Sequence, residues 1–283
     1  PARSLWRQNP FSTMNAEQVR AILKDTFNVV ADAYDHPVLR FFPASARQLA
    51  DLLELRGDER VLDVATGTGH VALELAARLP RGRVAGVDFS AGMLAQARQK
   101  AAARGVANVE FAEMDMQALK FDDASFDAAV CAFGIFFVED METTLAQIAT
   151  KVRPGGTVVL CNFQKDYFFP LRKLLTDRLA AHGVPLPPQT WERIASEAGC
   201  RTLFATAGLR DVRVEARNMG YWLADENEWW DVVWNAGFRR MLSQLPAADL
   251  PRFRADHLRD VAALKTAQGL RLDIGVLFTV GTV

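Results

Sequence analysis

The stretch VLDVATGTGH, residues 61–70, decides how the chain is read. Val61, Leu62 and Val64 describe a strand buried on both faces, and Asp63 puts a carboxylate inside it. Thr66-Gly67-Thr68-Gly69 then carries very little side chain before a helix expected from about His70. Glycine lets backbone approach a ligand closely, and a helix start offers it unpaired N–H groups. Gly67-Thr68-Gly69-His70-Val71-Ala72 also satisfies the G-x-G-x-x-G/A pattern of dinucleotide-binding folds, with Asp88 at the spacing of a ribose-binding acid. Asp63 separates the possible ligands. A buried ionised carboxylate is costly unless it is paired or hydrogen-bonded, and a pyrophosphate would add negative charge nearby. A ligand carrying an ammonium group reverses that argument. The alternative is that Asp63 only ties down loop amides.

Working outward, short β-rich runs alternate with helical ones: VLDVA, a helix from about His70 to Leu79, RVAGVD, a helix from about Ala91 to Arg104, VEFAEMD, FDAAVCAFG, a helix near Met141 to Val152, and TVVLCNF. Such alternation predicts an α/β fold with a doubly wound, mainly parallel sheet, its ligand lying beyond the carboxyl ends of the strands. Upstream, Val19, Ile22, Leu23, Phe27 and Val30 recur at helical spacing, so an amphipathic helix is expected over about Asn15 to Ala33, with a second over about Ser45 to Leu55. Downstream, strand candidates at Val212 to Ala216 and Val276 to Val280 are separated by about sixty residues, too many for a turn. That segment reads as an insertion with helices of its own. The division expected is an N-terminal helical lid (1–56), a ligand-binding core (57–163), and acceptor-site helical insertions with the last two strands of the same sheet (164–283).

The bulk numbers suit an ordinary enzyme or binding domain: 283 residues, half of them hydrophobic, 24% charged, formal net charge −1. Basic residues are interspersed with acidic ones, so no nucleic-acid footprint is expected. No apolar run approaches the roughly 20 residues of a membrane span, and the opening PARSLWRQNPFSTMNAEQ is too polar for a secretory signal. Cys131, Cys161 and Cys200 are odd in number and widely spaced, so neither a disulfide framework nor a metal site is expected, and the chain reads as cytoplasmic. The sequence leaves the oligomeric state open.

VLDVATGTGHVALELA, VAGVDFSAGMLAQAR, FAEMDMQAL and FDAAVCAFGIFFVEDMETTLAQIATKVRPGGTVVLCNF, taken in order, resemble the successive motifs of a class I S-adenosylmethionine-dependent methyltransferase, over about residues 58 to 163. Within that family the similarity is nearest to the ubiquinone/menaquinone C-methyltransferase-like (methyltransferase type 11) group, through FNVVADAYD at 27–35 and AFGIFFVEDMETTLAQIATKVRPGG at 132–156. Ala65 and His70 depart from that group, which usually has glycine and aspartate there. The resemblance implies S-adenosyl-L-methionine as cofactor and a seven-stranded Rossmann-like sheet. It places Asp63, Gly67 and Gly69 at the methionine end, Asp88 at the ribose, Asp115 and Met116 at the adenine, and Ala132, Phe133 and Gly134 by the reacting sulfonium, with Ala65 and Phe89 as further cofactor contacts. Tyr34 is implied as a cofactor or lid contact. Met93 either packs on the adenine or faces the core.

Methyl transfer is an in-line displacement and needs a base only where the acceptor must lose a proton. His36, beside Tyr34-Asp35, is the candidate base; its other reading is a polar helix end. Ser90 is expected to cap a helix, as are the acids Glu139 and Asp140. His182 and His257 lie in polar helical contexts with no evident partner. Five of the six Trp residues fall after Phe163, and Trp230, Trp234 and Phe238 recur every four residues, as core packing or as an acceptor wall. With Phe163, Tyr167, Phe168 and Phe169 they favour a small, fairly apolar or aromatic acceptor. A nicotinamide-dependent oxidoreductase and a non-catalytic S-adenosylmethionine-binding module are the alternatives.

Overall fold

The computed structural model describes residues 16–186 and 189–283. Most of the polar opening stretch (residues 1–15) and two prolines of VPLPPQ lie outside them. Two helices lead, α1 (Ala16–Val30) and α2 (Phe41–Asp51), with a 3-10 turn at Ala31–Ala33 between them. Alternation follows: β1 (Arg60–Val64), α3 (His70–Arg78), β2 (Arg83–Asp88), α4 (Ala91–Ala103), β3 (Val109–Glu113), β4 (Phe126–Ala132), α5 (Met141–Thr150) and β5 (Val152–Phe163). After α6 (Leu171–Ala181), α7 (Glu197–Thr206) and β6 (Arg210–Asn218) come β7 (Tyr221–Leu223), α8 (Glu226–Asn235), α9 (Arg239–Leu242), α10 (Leu250–Ala262), β8 (Leu270–Leu272) and β9 (Gly275–Thr282).

The large sheet has seven strands in the order β3-β2-β1-β4-β5-β9-β6. The first five run parallel, and β9 enters antiparallel between β5 and β6. The doubly wound sheet expected from the alternation is present. Its central strands are small and apolar because both faces are covered: Ala129, Val130 and Cys131 of β4 have no exposed surface. Helix starts follow local chemistry, with Ser90, Asp140, Ser196 and Asp225 each accepting backbone N–H groups from the first turn of α4, α5, α7 and α8.

Three expectations shift. Helix α2 begins at Phe41 and not Ser45, since Pro43 is tolerated in a first turn. Pro154-Gly155-Gly156, which its composition predicts to be a turn ahead of the fifth strand, is a bulge within β5: Phe126 pairs with Val152, then Ala128 with Thr157. Helix α8 stops at Asn235, so Phe238 lies off the helix carrying Trp230 and Trp234. The expected insertion between the last two strands is present and adds a two-stranded ribbon, β7 with β8, whose three-residue strands leave no periodic signal. Among the described residues no helix is long and apolar enough to cross a membrane, and the three cysteines are buried and free.

Candidate functional site

Strand β1 pairs with β2 on one side and β4 on the other, so the crossovers reverse direction there and a crevice opens at its carboxyl end. Asp63 sits at that end, 1% exposed. Its Oδ2 accepts the Thr66 hydroxyl at 2.6 Å, while the buried Oδ1 has no hydrogen-bond partner. Burial pushes the carboxyl up to about 7; the Thr66 hydroxyl and the nearby Ala72 amide pull it down, and Asp88 adds to the rise. A half-satisfied buried carboxyl is expensive on its own and fits a ligand bringing a positive charge with N–H donors.

The turn after it is left-handed at three residues, Ala65 (φ 56°), Gly67 (φ 55°) and Gly69 (φ 82°). Only Ala65 carries a Cβ there, so the departure noted in the sequence stores strain of about 1 kcal/mol. A Cβ on Gly134 would lie 2.6 Å from that of Ala65 and 3.7 Å from Met116 Cε, which brings the ends of β1 and β4 and the loop after β3 into one crevice.

Asp88 ends β2, 7% exposed. Its Oδ2 accepts Gly67 N–H and its Oδ1 Ser90 N–H, each at 2.9 Å, leaving each oxygen a second lone pair. Burial raises this carboxyl despite those amides. Ser90 caps α4 as expected, and Asn28 of α1 adds a second cap, accepting from the Ser90 hydroxyl at 2.7 Å and Gly92 N–H at 3.0 Å. Phe89 is half-buried against Phe27. Met93 packs with Val30 and Ala31 under α1, which favours its core reading. Asp115 accepts Arg20 of α1 at 2.8 Å and Gln117 N–H at 2.9 Å.

Tyr34 stacks on Phe42 with centroids 4.9 Å apart, and burial with the charges of Asp88 and Asp35 pushes its hydroxyl well up. His36 is not brought to the site. It is exposed, and its Nδ1 accepts Val38 N–H at 3.3 Å, so it closes a local turn. The residue that sequence reasoning missed is its neighbour Asp35, the last of the quoted FNVVADAYD. Asp35 accepts the Thr68 hydroxyl at 2.7 Å, His70 Nε2 at 2.8 Å and Lys100 Nζ at 2.8 Å. Burial pushes it up, but the hydrogen bonds from His70, Lys100 and Thr68 hold it far below the usual carboxylate range. The second departure, His70, is therefore matched by an acid from the segment between α1 and α2. Helix α1 is also held from the other side, where Arg240 donates to Ile22 O at 2.8 Å and Thr26 Oγ1 at 2.7 Å.

Rings cover the ends of β4 and β5. Ala132 pairs with Cys161, and Phe133 (φ 53°) donates its N–H to Cys161 O at 2.7 Å. The Phe133 ring lies 4.5 Å from that of Phe163, which stacks on Tyr167 at 4.3 Å. Phe168 meets Trp229 edge-on at 5.8 Å. His257 has a partner after all: fully buried, it accepts Trp229 Nε1 at 2.9 Å, and burial pushes it down to about 4. Trp230 stacks on Trp234 against Phe253, inside the insertion, which favours core packing over an acceptor wall.

A methyltransferase domain family matches residues 61–156. Demethylmenaquinone methyltransferase from Thermus thermophilus is 44% identical over 117 residues, 41% of this chain and 53% of its own, so the chain spans about half the length of that relative. A ubiquinone/menaquinone biosynthesis C-methyltransferase from Geobacter sulfurreducens is 32% identical over 217 residues, 70% of this chain and 84% of its own. The crystal structure of YcgJ protein from Bacillus subtilis shares the fold, with a TM-score of 0.58 and 21% identity over 84% of this chain and 97% of that one. These matches remove the nicotinamide-dependent alternative. Motif order, sheet order and sequence identity over most of a relative's length agree: the chain belongs to the class I S-adenosyl-L-methionine-dependent methyltransferases, in the ubiquinone/menaquinone C-methyltransferase-like group.

Proposed function

We propose that the chain transfers a methyl group from S-adenosyl-L-methionine to a small, apolar aromatic acceptor. The observation that carries this reading is the unpartnered, buried Oδ1 of Asp63 beside the glycine turn. In it, Asp63 takes the α-ammonium of the methionine moiety, and Gly67 and Gly69 let backbone approach its carboxylate at the start of α3. Asp88 takes the ribose hydroxyls on its free lone pairs, and Asp115 with Met116 takes the adenine edge and face. The bound cofactor supplies an electrophilic methyl group on a sulfonium whose charge disappears as the methyl leaves.

The protein's own contribution is alignment and dryness. Phe133, following β4, forms the wall nearest the reacting centre, and Tyr34 with Phe42 covers the crevice from the lid, so water is kept from an in-line encounter. No side chain is assigned as a base, because His36 turns away. The relatives' names point to a quinol ring as the first acceptor to try.

Titration calorimetry with S-adenosylhomocysteine is the test, followed by tritiated methyl transfer from S-adenosylmethionine to quinols, phenols and amines. Absence of binding overturns the reading. Binding without transfer to any acceptor favours a non-catalytic S-adenosylmethionine-binding module.

A further inference from the structure

The ring column that starts at Phe133 ends on a cation. Strands β4 and β5 are parallel neighbours, so Phe133 and Phe163 emerge side by side, and Tyr167 continues the stack at an interplanar angle of 18° to Phe163. Trp191 closes it edge-on, 5.1 Å from Tyr167. The Arg172 guanidinium lies 4.2 Å above the Tyr167 ring and 4.7 Å above that of Trp191. It donates to Lys165 O at 2.9 Å, and among the described residues no carboxylate pairs with it. Burial pushes the Tyr167 hydroxyl up, while Arg172 holds it down. Arg20, Arg193 and Arg40, by contrast, pair with Asp115, Glu142 and Glu228.

A half-buried guanidinium without an anion, at the far end of a stacked aromatic wall, is a specificity element for a ligand that is aromatic along its length and anionic at one end. We propose that Arg172, with Tyr167 and Trp191, forms the distal subsite of the acceptor and selects a planar aromatic molecule carrying an oxyanion, a carboxylate or a phenolate, on the end away from the methylated atom. Resting on the methyl-transfer reading, it names the acceptor class. One guanidinium N–H is given to Lys165 O, and the five donors of the group leave others with which an oxyanion is bound by charge-assisted hydrogen bonds. Cation–π contact with two rings that stand nearly perpendicular to each other, together with the bond to Lys165 O, places the cation before any ligand arrives.

The test is calorimetry on the whole protein, with and without saturating S-adenosylhomocysteine, using matched probes: 2-naphthoate against naphthalene-2-methanol, and 4-nitrophenolate against nitrobenzene. The charged member of at least one pair is expected to bind about tenfold tighter; preference in the first pair alone identifies a carboxylate, in the second a phenolate. Arg172→Met should erase the preference and leave neutral-probe binding and S-adenosylhomocysteine affinity within about twofold, while Arg172→Lys should keep part of it. Equal binding of charged and neutral probes by the unmodified protein overturns the proposal, as does an Arg172→Met protein that keeps the preference. The unmodified protein alone decides the matter should that variant fail to fold. Loss of S-adenosylhomocysteine binding in the unmodified protein instead strikes the methyl-transfer reading, and the probe preference measured without it still judges the subsite.

Discussion

At the end of β1 and β2 the candidate site presents carboxylates held by backbone amides and hydroxyls; at the end of β4 and β5 of the same sheet it presents rings held by other rings. The first surface is built from directional bonds, so each residue type and its spacing are fixed by geometry. The second is built from contact area, which many combinations of Phe, Tyr and Trp supply. One region therefore suits a ligand common to a family, and the other a ligand particular to this chain. A change on the polar side should act on cofactor binding, and a change on the aromatic side on acceptor use.

The largest expected effect breaks the comparison outright if it fails. Asp63→Asn should weaken S-adenosylhomocysteine binding by about 4 kcal/mol, on the order of a thousandfold by calorimetry, whereas Phe163→Leu should leave it within about twofold. A comparable loss in both would mean that the two surfaces are one.

The insertion should show itself next, through acid. His257 is held down to about 4 by burial, so the folded chain binds fewer protons than the unfolded one between there and about 6.5. Stability is complete above that window and is lost as pH falls through it, by up to about 3 kcal/mol. His257→Gln offers an acceptor to Trp229 without a charge, so urea melts of this variant should show a flatter acid limb.

On the polar side the pH dependence runs the other way. Asp63 titrates at about 7 in the free protein, above the ordinary carboxylate range, so its contribution to stability is complete below that range and is lost as pH rises through about 7. An ammonium-bearing ligand needs the ionised form. Binding of S-adenosylhomocysteine should weaken about tenfold per pH unit below 7, with proton release visible as a buffer-dependent binding enthalpy. Affinity unchanged between pH 5.5 and pH 8 would remove Asp63 from the contact.

The smallest effect concerns the turn itself. Ala65→Gly should raise stability by about 1 kcal/mol in thermal melts, since glycine adopts the left-handed conformation without strain, and should leave the ring column untouched.

The same contrast explains what the sequence made legible. Alternation of apolar strands and amphipathic helices yields the sheet, and the short spacing from Asp63 to Gly69 yields the crevice, because both are local patterns. Asp35 was passed over for His36 since its partners Thr68, His70 and Lys100 lie 33 to 65 positions away, and no periodicity links them. The aromatic residues after Phe163 were visible as composition only. Which of them stack at the strand ends and which fill the insertion depends on where α8 stops, and Trp230 on that helix is core while Tyr167 lies in the column.

The placement of β9 bears on how the chain can be divided. Residues 164–283 leave the sheet after β5, yet their last strand returns to lie directly against it. A protein cut after Phe163 would therefore leave the edge of Thr157 to Phe163, the seven residues of β5 that pair with β9, without its partner strand, a template for self-association. The segment after β5 is thus also the stopper on the sheet, and exchanging it between relatives requires carrying its final strand along.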